Sequence, residues 1–152
     1  MIAPDVNVLV YAWNPETEHH QQARAWVSER IARDELLAIS ELVLSDAVRV
    51  LTLRGVRRLG YPLDDVLTLA DELLSAPGVV RLRPGPRHWA LFRQLCRETG
   101  AAGNTVPDCY HAALALEHGA TWASRDRFFA TVPASTGSTP GNRVRRPAPS
   151  SG

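Results

Sequence analysis

The chain has 152 residues, of which 45% are apolar and 22% charged, with a net charge of +1, the composition of one soluble globular domain. All 17 basic residues are Arg, so any mechanism that needs a Lys ammonium or a Lys Schiff base is excluded. No apolar run approaches the roughly 20 residues of a membrane span, and the N-terminal segment has neither the basic region nor the small-residue cleavage site of an export signal.

Residues 1–4 read as a short first strand. Asp5 then stands as the cap of the apolar segment Val6–Trp13. Helix and strand both remain open there, since Val6, Val8, Val10 and Tyr11 have β propensity, and Asn14-Pro15 ends either element. Residues 19–33 carry Ala23, Trp26, Val27 and Ile31 on one helical stripe. Trp13 and Trp26 read as core or dimer contacts. Residues 36–39 predict a buried strand. Ser40 can cap a helix reaching Leu53, with Val43, Ala47, Val50 and Leu51 on its apolar face. The clearest amphipathic pattern is Leu63, Val66, Leu67, Ala70, Leu73 and Leu74, introduced by Pro62 and stopped at Pro77-Gly78. Val79–Leu82 reads as a third strand. Trp89, Phe92, Leu95 and Cys96 mark a helix that ends at Gly100. Residues 106–118 form an Ala- and Leu-rich helix with Gly119 at its C′ position, and residues 121–124 a fourth strand. Cys96 and Cys109 have no metal or redox spacing and read as buried free thiols of a reducing compartment, which places the protein in the cytoplasm. From Ala134 onward 12 of the last 19 residues are Gly, Pro, Ser or Thr. Residues 134–152 are therefore expected to form a tail, with Arg143-Val144-Arg145 as a candidate edge strand.

Strands alternating with helices predict an α/β fold on a parallel sheet. Four of the 16 acids stand apart from the polar helix faces. Asp5 follows the first strand. Asp46 interrupts an apolar helix turn, "LVLSDAVRVL". Asp108 opens the Ala/Leu helix in "NTVPDCYHAALALEHG", and Asp126 follows the fourth strand in "TWASRDRFF". Each has an ordinary explanation alone: a cap for Asp5, a first-turn acid for Asp108, ion pairs with Arg49 or with Arg125 and Arg127 for the others. Together they gather at the C-terminal edge of a parallel sheet, where ligand sites form. Two unit charges ~4 Å apart repel by about 4 kcal/mol at an effective dielectric near 20. Such a cluster calls for a cation or for retained protons. Oxygen-only ligation suits Mg²⁺ or Mn²⁺, which keep waters and act on phosphodiesters.

At these residues the sequence resembles the PIN-domain ribonucleases, in particular the small VapC-type toxins of toxin–antitoxin modules. "PDVNVLVYA", "PGPRHWALFRQL" and "GNTVPDCYHAALALEHGATWASRDRFFATVP" carry the resemblance, in that order, over residues 1–133. It implies a single-domain, three-layer α/β/α sandwich and a Mg²⁺-dependent endoribonuclease, with Mn²⁺ as the other candidate ion. It also implies Asp5, Asp108 and Asp126 as metal ligands, Asp46 as a fourth catalytic acid, and Asn7, Arg49 and Ser124 in support. The implied partners are an RNA substrate, a second copy in a homodimer and a cognate VapB-type antitoxin, with no membrane. Three positions depart from the family pattern. Asp46 stands where Glu is usual and so reaches a metal only through water. Phe128 stands where a second aspartate often falls, and Pro107 replaces a Thr. These departures favour, as the alternative, a catalytically weakened module that still binds RNA or antitoxin.

Arg54, Arg57 and Arg58 are the first candidates for RNA phosphates, ahead of Arg81, Arg83 and Arg87 and of the tail arginines Arg143, Arg145 and Arg146. His19, His20, His88, His111 and His118 show no ligand spacing and read as structural or surface residues. Phosphotransfer domains with strand-end aspartates are disfavoured, because they rely on a Lys near the phosphoryl group.

Overall fold

The computed structural model describes residues 1–33, 35–54 and 59–123. Four strands, β1 (Ile2–Pro4), β2 (Leu37–Ser40), β3 (Val79–Leu82) and β4 (Thr121–Ala123), form one sheet in the order β3-β2-β1-β4. All three pairings are parallel, with Ile2 beside both Leu37 and Thr121, and Ser40 beside Leu82. Six helices flank it: α1 (Val6–Trp13), α2 (His20–Ala32), α3 (Glu41–Thr52), α4 (Leu63–Ser75), α5 (His88–Thr99) and α6 (Val106–Glu117). A 3-10 turn at Gly103–Thr105 leads into α6. The expected α/β/α layering is present.

Two steps in one direction, β1 to β2 to β3, put α1–α4 on one face, because parallel crossovers are right-handed. The return from β3 to β4 puts α5 and α6 on the other. Strand alternation matches. Leu37 and Ile39 join Val8, Leu9, Val43, Leu51 and Val66 in the larger core, whereas Ala3, Ala38 and Leu82 meet Ala115 of α6. Asp5 continues the alternation of Ala3 and belongs to the α6 face.

Val6–Trp13 is a helix despite its β-branched residues. Val8 and Leu9 are fully buried, and Val10 and Ala12 nearly so, so packing on more than one side overrides propensity. The Ser40 cap is real: its Oγ accepts the Val43 amide at 3.1 Å. Gly100 and Gly119 end α5 and α6 at φ of 63° and 65°, the left-handed conformation that favours glycine. The apolar side of α5 is less covered than its pattern predicts. Phe92, Leu95 and Cys96 are half-buried, and Trp89 is 63% exposed. Only Cys109 of the two thiols is buried, with Thr99 Oγ1 3.5 Å from its sulfur. Trp26 is core, and Trp13 packs against its rim. The tail from 134 onward and its candidate strand at 143–145 lie outside the described residues.

Candidate acidic site

Asp5 sits where β1 gives way to α1. Its extended backbone (φ −71°, ψ 158°) sends its N–H to the Ala123 carbonyl at 2.9 Å, so β4 leaves the sheet beside it. Asp5 occupies the cap position of α1, but its carboxylate makes no capping bond, contrary to the sequence expectation. It is 7% exposed, and among the described residues it accepts one side-chain bond, from Asn7 Nδ2 at 3.3 Å. A buried carboxylate this lightly paired is costly. Asn7 is thus the side chain in contact with the Asp5 carboxylate.

Asp108 lies in the first turn of α6, whose N-terminal dipole favours a negative charge. Its carboxyl nonetheless has a raised pKa, first from partial desolvation and second from the charge of Asp5. Like charges act on each other here, which is the condition that a cation relieves.

Asp46 is a turn and a half into α3, with a side chain 21% exposed. Arg49 Nε donates to its Oδ1 at 3.3 Å, while the guanidinium itself is 64% exposed. The ion pair with Arg49 that the helix spacing allows is therefore present. Asp126 and Ser124, the remaining site residues, and Phe128 lie outside the described residues.

His111, read from sequence as structural or surface, belongs to this region. It is one turn beyond Asp108 and 4% exposed, and its Nε2 is buried without a hydrogen-bond partner among the described residues. Its pKa is lowered, chiefly by burial and slightly by His88, against the opposing pull of Asp5 and Asp46. It therefore lies within electrostatic reach of carboxylates on two other elements. A spacing search could not have found it, because its neighbours are far apart in sequence.

Of the first basic run, Arg54 is exposed, and Arg57 and Arg58 lie outside the described residues. Arg81 and Arg83 are exposed at the end of β3 and converge on Glu41, at 4.0 and 3.3 Å. A shallow depression of about 420 Å³ runs along α2, between His20 and Ser28, and none of the candidate acids lines it.

The PIN domain family model matches residues 2–134. The chain belongs to the PIN-domain family. This PIN domain is 43% identical over 130 residues to ribonuclease VapC43 of Mycobacterium tuberculosis, covering 86% of this chain and 88% of that protein. Two solved structures share its fold. VapC20 of M. tuberculosis, a sarcin–ricin loop cleaving toxin, has a TM-score of 0.60 at 21% identity, covering 86% of this chain and 94% of that one. VapBC2 of Rickettsia felis, bound to a DNA fragment from its promoter, has a TM-score of 0.57 at 18% identity, covering 80% and 86%.

Among the described residues no three His, Cys, Asp or Glu side chains come close enough to hold a metal ion by themselves. The donor set of this PIN domain still fits a hard, hydrated cation. It offers oxygen alone, from a buried carboxylate and a second one electrostatically opposed to it. Mg²⁺ and Mn²⁺ keep several waters and need one or two protein carboxylates.

Proposed function

We propose that this protein is a VapC-type toxin, a divalent-metal-dependent endoribonuclease that hydrolyses RNA phosphodiester bonds and is restrained by a VapB-type antitoxin. The observation that carries the reading is Asp5. It is a nearly buried carboxylate, freed from capping, opposed by Asp108, at the edge where a parallel sheet forms its ligand sites. The named relatives support it.

In this reading Asp5, Asp108 and Asp126 hold Mg²⁺ or Mn²⁺, with Asp46 contributing through water. The ion supplies charge neutralisation on the scissile phosphate and a more acidic water when bound. Asn7 fixes the Asp5 carboxylate from one side, and Arg49 fixes Asp46. Ser124, two residues before Asp126 in the chain, assists it. The attacking water forms a new P–O bond while the bond to the leaving ribose oxygen breaks. Arg54, Arg57 and Arg58 contact flanking phosphates. An antitoxin segment bearing Arg would occupy the same carboxylates and exclude RNA. The active form is a homodimer working in the cytoplasm.

The test is cleavage of a structured RNA by purified, antitoxin-free protein. Mg²⁺ or Mn²⁺ supports cutting, and EDTA abolishes it. Asp5→Ala and Asp108→Ala each lower the rate by at least about 100-fold. Either variant cutting as fast as wild type removes the site assignment. RNA binding without cutting at any metal concentration selects the weakened binding module, which the short Asp46 side chain favours.

A further inference from the structure

Asp108 and His111 are one turn apart on α6, and Val43 and Asp46 are one turn apart on α3. Each pair therefore lies on one helix face. His111 and Val43 also line one space at the sheet edge. Together with Ser40 and apolar side chains of β1, β2, β3 and α6, they wall a cavity of about 10 Å³, roughly the room of one water.

Two polar side chains line this space. His111 Nε2 is buried with no partner among the described residues, a desolvation cost that a leucine of similar size would avoid. Ser40 Oγ, at the end of β2, accepts the Val43 amide and keeps its own proton to donate. Water donates and accepts, so it satisfies Nε2 in either ring tautomer. Two polar partners meet the minimum that a buried water needs.

We infer that one bound water joins His111 Nε2 to Ser40 Oγ, making His111 a positioning residue that fixes Asp108 on α6 against Asp46 on α3. The link itself stands on the cavity and its two polar walls. Its consequence for catalysis rests on the metal-site reading given under Proposed function. Side chains that orient carboxylates from behind typically change metal affinity 10- to 100-fold when removed.

The link is tested by metal-free melting of wild type, His111→Leu, Ser40→Ala and the double variant. Ser40→Ala removes both the helix cap and one partner of the water. Once His111→Leu has expelled the water, Ser40→Ala loses only the cap. The double variant is thus expected to lose less in Tm than the two single losses combined, whereas Ser40→Ala in a His111→Gln background loses as much as in wild type. Simple addition in the leucine background overturns the link. His111→Met serves in place of leucine where the leucine variant does not fold.

The positioning role is read from Mn²⁺ affinity, followed by the electron paramagnetic resonance of free Mn²⁺. His111→Leu is expected to weaken it about tenfold, and His111→Gln to stay within about threefold of wild type. Unchanged affinity in His111→Leu overturns the role. Wild-type protein that takes up no Mn²⁺ overturns the metal-site reading instead, while the melting comparison still decides the link.

Discussion

Asp108 has its pKa raised by partial desolvation and by Asp5. A carboxyl with a raised folded-state pKa binds more protons folded than unfolded, between its ordinary value and the raised one. Its contribution to stability therefore falls as pH climbs through that window. The Tm of Asp108→Asn minus that of metal-free wild type should accordingly grow as pH rises through the carboxylate range. A difference that stays constant with pH would mean that neither burial nor the charge of Asp5 raises the pKa of Asp108. Asp46→Glu makes a second residue-scale prediction. One more methylene brings the carboxylate closer to the site, so RNA cleavage should be retained or raised, and complete loss would put Asp46 outside it. Asp5, Asp46 and Asp108 were legible as candidates because each interrupts an apolar stretch. His111 was not, since a single His on an apolar helix looks like core. Only the tertiary arrangement brings it within electrostatic reach of Asp5 and Asp46, which are 106 and 65 positions away in the chain.

At the scale of elements, the end of α6 grips the loop between β3 and α5. The Glu117 carboxylate accepts the amides of Gly85 and Arg87, both at 2.8 Å, while Arg87 Nη2 donates to the Glu117 carbonyl at 2.9 Å. Desolvation would raise the pKa of Glu117, but these amides, with His118 and His88, hold it below the usual carboxylate range. The grip is therefore complete above the ordinary carboxylate pKa and is lost as pH falls through the lowered one. A methyl group on Gly85 would lie 2.7 Å from Glu117 Oε1, so the carboxylate must give way. Gly85→Ala should cost about 1–2 kcal/mol in denaturant unfolding, and Glu117→Gln should flatten the acid limb of the stability profile. An alanine variant as stable as wild type would show that the carboxylate moves freely. Capping and glycine signals made most elements readable, as at Ser40, Gly100 and Gly119. The segment Val6–Trp13 was not readable, because a buried helix and a buried strand have the same apolar run. Burial of Val8 through Val10 together decides for the helix.

For the whole molecule, the strand order β3-β2-β1-β4 reverses direction at β1, so the crevice between β1 and β4 is a topological switch point. Asp5 ends the central strand on one side of it, and the chain leaves β4 beside Asp5 on the other. The parallel sheet was legible from alternating strand and helix signals. Which strands neighbour one another was not, because pairing is set by long-range contacts. The proposed site turns on a carboxylate repulsion that a divalent ion relieves, and thermal melting with and without Mn²⁺ measures that directly. At a concentration about 100-fold above its dissociation constant, an ion that binds only the folded state adds about 2.7 kcal/mol. For a chain of this size that raises Tm by roughly 5–10 °C. Wild type should show that rise, and Asp5→Asn and Asp108→Asn should not. Equal shifts in all three proteins, or no shift in wild type, would contradict the account.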